Sequence, residues 1–202
     1  MPTTTNNGWT TPADTDLVKN GASAIRTLGN NIDSTLGVYA SPGLVKINTT
    51  TFSAVASQSV NSVFTSTYTN YLILIDVIPA TGSQLNFKLR ASGTDTSTGY
   101  NRQVLLADDT TPSAGRTTNQ TVYDLFATTT SQRTAIEILL YRPNVSGTTG
   151  GIVKVSKAYD SSTPVIGIKT FGQTASTQFD GFSLIPASST VTGKVSVYGF
   201  RE

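Results

Sequence analysis

Cysteine and histidine are both missing from this chain of 202 residues. The absence of cysteine excludes disulfide bonds and thiolate metal sites. The absence of histidine removes the side chain that most often transfers protons near neutral pH and that most often binds metals. Histidine-bound zinc and catalysis by Ser-His-Asp or Cys-His groups are therefore excluded.

Charge is also scarce, since only 13% of the residues are charged, well below the ~25% of ordinary globular proteins. The formal net charge is +2, and the lysines and arginines are scattered along the chain. Without a basic run, the sequence lacks the electrostatic signature of nucleic-acid binding. More than a quarter of the residues are Ser or Thr, which predicts a neutral, hydroxyl-rich surface.

Long apolar runs are absent as well. The longest, YLILIDVI (71–78), is too short to span a membrane, and Asp76 interrupts it. The start, MPTTTNNGWT, has neither the charged nor the apolar region of a signal peptide. We therefore expect neither membrane insertion nor signal-directed export, although the composition is typical of proteins that work outside cells. Two interpretations fit: a virion protein made in the host cytoplasm and released by lysis, or a cytoplasmic β-protein of unusual composition.

The segment TPADTDLVKNGASAIRTLGNNIDSTLG contains the helical pattern of the chain, and it predicts a helix over residues 13–37. Thr11 is placed to cap this helix, and Pro12 suits the first helical position. Asp14 would face the positive end of the helix dipole. Gly37 is expected just past the end of the helix, where glycine is favoured.

An apolar seam runs along the predicted helix. Its members recur at heptad-like spacing or lie beside residues that do: Val18, Ala22, Ile25, Leu28, Ile32 and Leu36. A lone helix of this length, weakened by Gly21 and Gly29, is marginal in water and needs a partner. Three partners fit the seam: other copies of the chain, the chain's own β-structure, or another protein. The irregular seam does not fix the number of copies.

From about residue 43 the apolar residues alternate with polar ones, as in half-buried strands. Short strands separated by turns rich in Gly, Pro, Asp and Ser, with no helices between them, predict an antiparallel sandwich or barrel. The fold class that we predict is mainly β: a jelly-roll-like antiparallel β-sandwich over residues 43–202, preceded by one N-terminal α-helix. Residues 71–78 are apolar on both faces, which predicts a central strand. The predicted strands are 44–47, 59–64, 71–78, 84–91, 102–107, 121–126, 135–141, 151–159, 165–171, 179–186 and 193–200.

Twelve acidic residues leave catalysis by paired carboxylates open. The candidates all lie where a turn, a first helical turn or a strand explains them: Asp14, Asp16, Asp76, Asp108, Asp109, Glu137 and Asp180. No phosphate-binding or dinucleotide-binding loop is present. The loop around Asp95 lacks the carboxylate density of a calcium site. We therefore expect no enzyme, no metal and no cofactor.

Four aromatic residues are candidates for surface contacts. Tyr68, Tyr100 and Tyr159 border turns and could stack on the sugar rings of a host-surface glycan. The alternative is that they cover strand ends or a seam between subunits. Trp9, the single tryptophan, lies in a polar segment. It could anchor in a pocket of a partner, or it could cap its own helix.

The segment with the core LVKNGASAIRTLG resembles the N-terminal segment of many tailed-bacteriophage virion proteins, in which a short polar lead precedes one helix. The remainder resembles the β-sandwich of phage surface proteins, in FTSTYTNYLILIDV, LNFKLRASGTDTSTGYN and FDGFSLIPASSTVTGKVSVYGFRE. The resemblance covers most of the chain. It implies a homotrimer whose N-terminus is bound to the particle and whose sandwich faces outward, and it implies no catalytic residues. Unlike a long fibre, this chain has no repetitive shaft.

On this resemblance, residues 1–12 with Trp9 would attach to other virion proteins, and the helix would join the subunits. Two functions are implied. The one we favour is a short trimeric tail fibre that binds the host surface, and the alternative is a head decoration or head fibre without a receptor role. A non-viral carbohydrate-binding module is a third. Clustered tyrosines at loop tips would favour sugar recognition, and a bland tip would favour decoration.

Overall fold

A computed structural model describes residues 2–5, 7–13, 15, 17–39, 43–107, 110–127, 131–156 and 165–201. Within this part of the chain lie one α-helix and thirteen strands. The chain divides into two compact units, Met1–Leu44 together with Arg201, and Val45–Phe200. Five residues that carry predictions lie outside the described part of the chain: Asp14, Asp16, Asp108, Asp109 and Tyr159.

The helix α1 extends over Val18–Tyr39, so its predicted start at residue 13 is wrong by five residues. Thr11 does not cap it, because the backbone N–H and the hydroxyl of Thr11 both donate to the carbonyl of Pro2, at 2.9 and 3.1 Å. An isolated antiparallel bridge also joins Thr3 and Thr10. The polar lead is therefore folded back on itself, and Pro12 follows this turn instead of opening the helix.

The end of the helix also differs from the prediction. Gly37 lies inside α1, and it is not among the residues with positive φ. Gly43 has that conformation instead, with φ 84°. The predicted position of Gly37 just past the end of the helix is therefore wrong, because the helix continues through it to Tyr39.

The strands form an antiparallel β-sandwich, which confirms the predicted fold class. Eight strands form one sheet in the order β1-β13-β3-β9-β10-β11-β6-β7. The second sheet has the order β2-β12-β4-β5, and β8 pairs with β4. The chain passes back and forth between the sheets, as jelly-roll-like sandwiches do. The strands are β1 (Leu44–Val55), β2 (Gln58–Val60), β3 (Asn70–Pro79), β4 (Gln84–Ala91), β5 (Thr94–Asp95), β6 (Tyr100–Ala107), β7 (Ser113–Gln120), β8 (Tyr123–Ala127), β9 (Thr134–Tyr141), β10 (Thr149–Ser156), β11 (Ile166–Gln173), β12 (Gly181–Pro186) and β13 (Val191–Phe200).

Alternation along the strands places one face of each sheet in the core. In β4 the side chains of Leu85, Phe87 and Leu89 are buried, as their spacing predicts. Phe87 stacks on Phe182 of the same sheet at 5.1 Å between ring centroids. It also meets Phe171 of the opposite sheet edge-on at 5.7 Å. Such aromatic contacts join the two sheets across the core.

The strand over residues 71–78 is an interior strand, as predicted, because β3 lies between β13 and β9. The prediction for 59–64 is partly wrong, since β2 covers only Gln58–Val60. Ser62 has φ 55°, a left-handed conformation that lies outside the extended region. The N–H groups of Val63 and Phe64 donate to the carbonyl of Asp180 instead.

Candidate functional site

Trp9 packs on the helix of its own chain. Its indole N–H donates to the hydroxyl of Thr35 at 3.0 Å, and that hydroxyl donates to the carbonyl of Asn31 at 2.8 Å. The backbone N–H of Thr4 donates to the carbonyl of Trp9 at 2.9 Å. This geometry corresponds to the second of the two interpretations of Trp9, the cap on its own helix. Its role as a virion anchor stays a prediction.

The two sides of α1 differ in exposure. Ala24 is buried, and Leu28 and Ile32 are half-buried. The positions spaced alternately four and three residues apart, starting at Val18, line one side of the helix. This side is largely exposed, with Val18 at 96% and Ile25 at 65%. The exposed members of the predicted seam are Val18, Ala22, Ile25 and Leu36. An aliphatic stripe of this kind is typical of a helix that joins another surface.

The predicted sugar-binding tyrosines are not presented together on the surface. Tyr100 is buried in the sandwich, where its hydroxyl accepts from the N–H of Leu89 at 2.8 Å and donates to the carbonyl of Thr96 at 3.2 Å. Its prediction as a surface recognition residue is therefore wrong. Tyr68 is half-buried against Gly199, near the end of β13. This position corresponds to the second interpretation of the tyrosines, in which they cover strand ends.

Two carboxylates of the strands pair with cations, and a third carboxylate beside a strand accepts a backbone N–H. Asp76 pairs with Arg133 at 2.6 Å, and Glu137 pairs with Lys154 at 2.8 Å. Asp180 accepts the N–H of Ser92 through one carboxylate oxygen. Across the described residues, no group of three His, Cys, Asp or Glu side chains could hold a metal ion.

A second ionic cluster lies on the smaller sheet and is saturated by its own hydrogen bonds. The guanidinium of Arg90 donates to Asp95 at 2.6 Å, to Ser183 at 2.8 Å and to Ser59 at 3.0 Å. It also donates to the carbonyl of Gly93. These bonds link residues of strands β2, β4, β5 and β12. Because the partners occupy the N–H donors of Arg90, the cluster offers little to a ligand.

An apolar surface that the sequence did not predict lies on the outer side of the eight-stranded sheet. Directly opposed residues share a face of a sheet, and the register places Leu74, Glu137, Lys154, Ile168 and Leu105 in one row across five strands. Five large aliphatic side chains are exposed on this face. They are Leu74, Leu105, Ile152, Ile166 and Ile168.

Hollows mark this outer face, and two of them meet at β10 and β11. The larger has a volume of about 770 Å³, and Leu74, Ile166 and Lys194 are among the residues that line it. The smaller has a volume of about 390 Å³, and Leu105 and Ile168 are among its lining residues. One sequence signal for this surface was available. Residues 71–78, YLILIDVI, are apolar on both faces, so one face of this strand could have been predicted to be exposed as well as buried.

The comparisons with known proteins add no relatives. No family model matches the chain, and no curated protein or solved structure is significantly similar to it. Among the described residues, no helix is long and apolar enough to cross a membrane.

Proposed function

We propose that this chain is a structural protein on the surface of a tailed-phage virion, where it forms a homotrimer through its N-terminal helix. The observation that carries the proposal is the exposed aliphatic stripe of α1. Val18, Ile25 and Leu36 are 96, 65 and 58% exposed along one line of the helix. Together they expose roughly 350 Å², about the size of the largest apolar patch on a typical monomer, which is often functional.

Self-association is the simplest way to cover this stripe. The positions from 18 to 36 follow a heptad-like spacing, which lets identical helices pack along a common seam. Three copies also multiply weak binding of each outward-facing sandwich by avidity. A hydroxyl-rich and nearly neutral surface suits many copies held side by side.

Attachment to the particle is assigned to the folded lead before the helix. The bridge between Thr3 and Thr10 closes this segment on itself, and the bond from Trp9 to Thr35 holds it on α1. A segment with this internal order can bind other virion proteins as a preformed unit, at a smaller cost in conformational entropy than a disordered tail.

Two roles are open for the sandwich. The burial of Tyr100 and the packing of Tyr68 favour the covering role of a decoration protein or head fibre over sugar recognition. The tail-fibre adhesin is the second candidate. One observation favours it: Tyr141 and Arg142 are both exposed where β9 ends, and such a pair can bind a host glycan by stacking and hydrogen bonding.

Localisation tests the virion proposal directly. Gold-labelled antibody against the purified chain is applied to intact particles from cells that produce it. Label spread over the head would support decoration, and label at the tail would support the adhesin. Label at the tail would then call for blocking of adsorption with purified protein. Particles that carry no label, although the chain is present in the lysate, would reject the virion proposal.

The helix is tested by Ile25→Asp, which places a charge in the stripe. Sedimentation equilibrium should show at least about tenfold weaker association, because a desolvated charge costs more than ~1.4 kcal/mol. The matched control is Thr27→Asp, which adds the same charge at an exposed position off the stripe. Equal association of wild type and Ile25→Asp would contradict assembly through α1.

A further inference from the structure

The outer face of the eight-stranded sheet is an unusual surface for a strand face that meets water. Leu105, Ile166 and Ile168 are 57, 58 and 46% exposed on neighbouring strands. Lys154 and Ile168 are opposed in the register of β10 and β11. Lys154 and Ile166 line the larger hollow, and Ile152 and Ile168 line the smaller one. Side chains of both strands therefore separate the two hollows as a ridge.

We propose that this outer face is a second interface between copies of the chain, built by the sandwich and separate from the helix. The ridge of one copy would occupy the larger hollow of the next. Leu105, Ile152 and Ile168 would then be covered in the contact. The inference rests on residues of the sandwich alone and does not require the helix to associate.

The shape of the face is the first argument for a second copy as the occupant. A homo-oligomer needs a surface that is complementary to the same protein. A ridge beside a hollow on one face provides both halves of such a contact. The arrangement serves a twofold pair, and it also serves a closed ring, in which each ridge meets the hollow of a neighbour.

The charges on the face are the second argument. Glu137 and Lys154 pair with each other at 2.8 Å, and Asp76 pairs with Arg133 at 2.6 Å. The charges of these two pairs therefore cancel, and Lys194 together with Arg116, which donates to Gln103 on the same face, leaves a small positive excess. A strongly acidic or basic partner would find only a weak matching field, whereas a copy of the same nearly balanced surface meets little net repulsion.

The exposed area is the third argument. The five large aliphatic side chains together expose roughly 400 Å², about half of the ~800 Å² that each partner buries in a standard interface. Polar side chains on the same face, such as Gln103 and Thr170, border them and would form the rim of the contact. A face of this size is large enough for a specific contact between copies.

The test uses the full chain with Leu105→Lys and Ile168→Glu combined. These residues are register partners on β6 and β11, so the new charges face each other and can pair within one copy. The fold is retained while two charges enter the proposed interface. The matched control is Thr177→Glu with Gln178→Lys, which adds the same charges at exposed positions before β12.

Both pairs of substitutions are measured by sedimentation equilibrium in a chain that also carries Ile25→Asp. This third substitution removes association through the helix, so that only association through the sheet is measured. We expect the Ile25→Asp chain to self-associate, the control pair to leave its dissociation constant unchanged, and the Leu105→Lys, Ile168→Glu pair to raise it at least about 100-fold. Unchanged association with that pair, or an Ile25→Asp chain that is monomeric at every concentration, would overturn the sheet interface. Failure of the helix proposal shows separately, as equal association of wild type and Ile25→Asp.

Thiol labelling can locate the proposed contact between copies without changing the charge of the face. The chain has no cysteine, so Ile152→Cys and Thr177→Cys each provide a single thiol. Maleimide labelling at Ile152→Cys should slow at concentrations at which the protein associates, and labelling at Thr177→Cys should not. Equal rates at Ile152→Cys in dilute and associated protein would overturn the proposal even if the charged variants dissociate.

Discussion

The amino group of Lys169 lies 3.1 Å from the backbone carbonyl oxygen of Asp124 and 3.7 Å from a carboxylate oxygen of the same residue. Lys169 is only 4% exposed and its amino group lies 5.4 Å from the ring centroid of Phe126. The guanidinium of Arg102 binds the same carboxylate at 2.6 Å. One carboxylate therefore serves two cations at the boundary of the core.

The first prediction concerns the pH dependence of stability. Burial is the main cause that lowers the pKa of Lys169 from 10.5 to about 8, and Asp124 only partly opposes it. Between these pH values the unfolded chain binds more protons than the folded one, so stability rises with pH. Urea unfolding should show an increasing midpoint from pH 8 to about pH 10. Burial raises the pKa of Tyr100 to about 12 and also raises that of Tyr123, so the midpoint should fall again above pH 10.

The second prediction is that Lys169→Met removes this rise and stabilises the protein at pH 7 by about 1–2 kcal/mol. Methionine keeps the apolar stem and avoids the desolvation of a charge. Asp124 is not left unpaired, because Arg102 still binds its carboxylate. Denaturant titration at pH 7 and pH 10 gives both quantities. If the free energy of unfolding rose equally with pH in the variant and the wild type, another group would be the cause of the rise.

The third prediction concerns Tyr100→Phe, which removes the hydroxyl that accepts the N–H of Leu89. That buried N–H would lose its partner, so the free energy of unfolding should fall by about 1–3 kcal/mol. The control is Tyr141→Phe, an exposed position, where a change within about 0.5 kcal/mol is expected. A loss of the same size in both variants would contradict the structural role of Tyr100.

The fourth prediction concerns Gly199→Ala. A Cβ built at this position lies 2.4 Å from the ring of Tyr68, so the ring has to move and stability should fall by about 1–3 kcal/mol. Gly115→Ala is the matched control, because its nearest contact is Val104 at 3.5 Å. Combining Gly199→Ala with Tyr68→Leu should recover part of the loss. A double variant that is no better than additive would exclude the clash as the cause.

The fifth prediction uses Trp9 as an optical probe of the N-terminal unit, since it is the single tryptophan. Thr35→Val removes the acceptor of the indole N–H, so the emission maximum should shift to the red as Trp9 becomes more hydrated. Thr27→Val is the control, because Thr27 makes the same bond to the preceding turn, at Ser23, without touching Trp9. Identical emission spectra of Thr35→Val and wild type would place Trp9 elsewhere.

Strands with a buried face were predictable from sequence, and those without one were not. β4 matches its predicted bounds because Leu85, Phe87 and Leu89 alternate with polar residues. β7, Ser113–Gln120, was missed, because it lies at the edge of its sheet and is almost wholly exposed. Its sequence, SAGRTTNQ, carries no aliphatic alternation, and only pairing with β6 makes it a strand.

The candidate surfaces were predictable only in part. The helical seam follows from spacing within one segment, so Val18 and Ile25 could be named from the sequence. The apolar outer face could not be, because Leu105 and Ile168 are 63 positions apart and meet only through the register of β6 and β11. The start of the helix depended on bonds from Thr11 to Pro2, which compete with capping and leave no periodic signal.

The edge strand β7 also bears on how copies of the sandwich can be crowded together. An open edge invites the sheet of a neighbour to continue it, and long apolar edges lead to runaway polymerisation. Here the edge is polar, and its pairing with β6 shifts register between Tyr100 and Arg102. A twisted, hydroxyl-lined border gives an incoming strand a poor template. The β7 edge therefore resists continuation by the strand of a neighbouring molecule, and a contact made there would involve side chains and not backbone pairing.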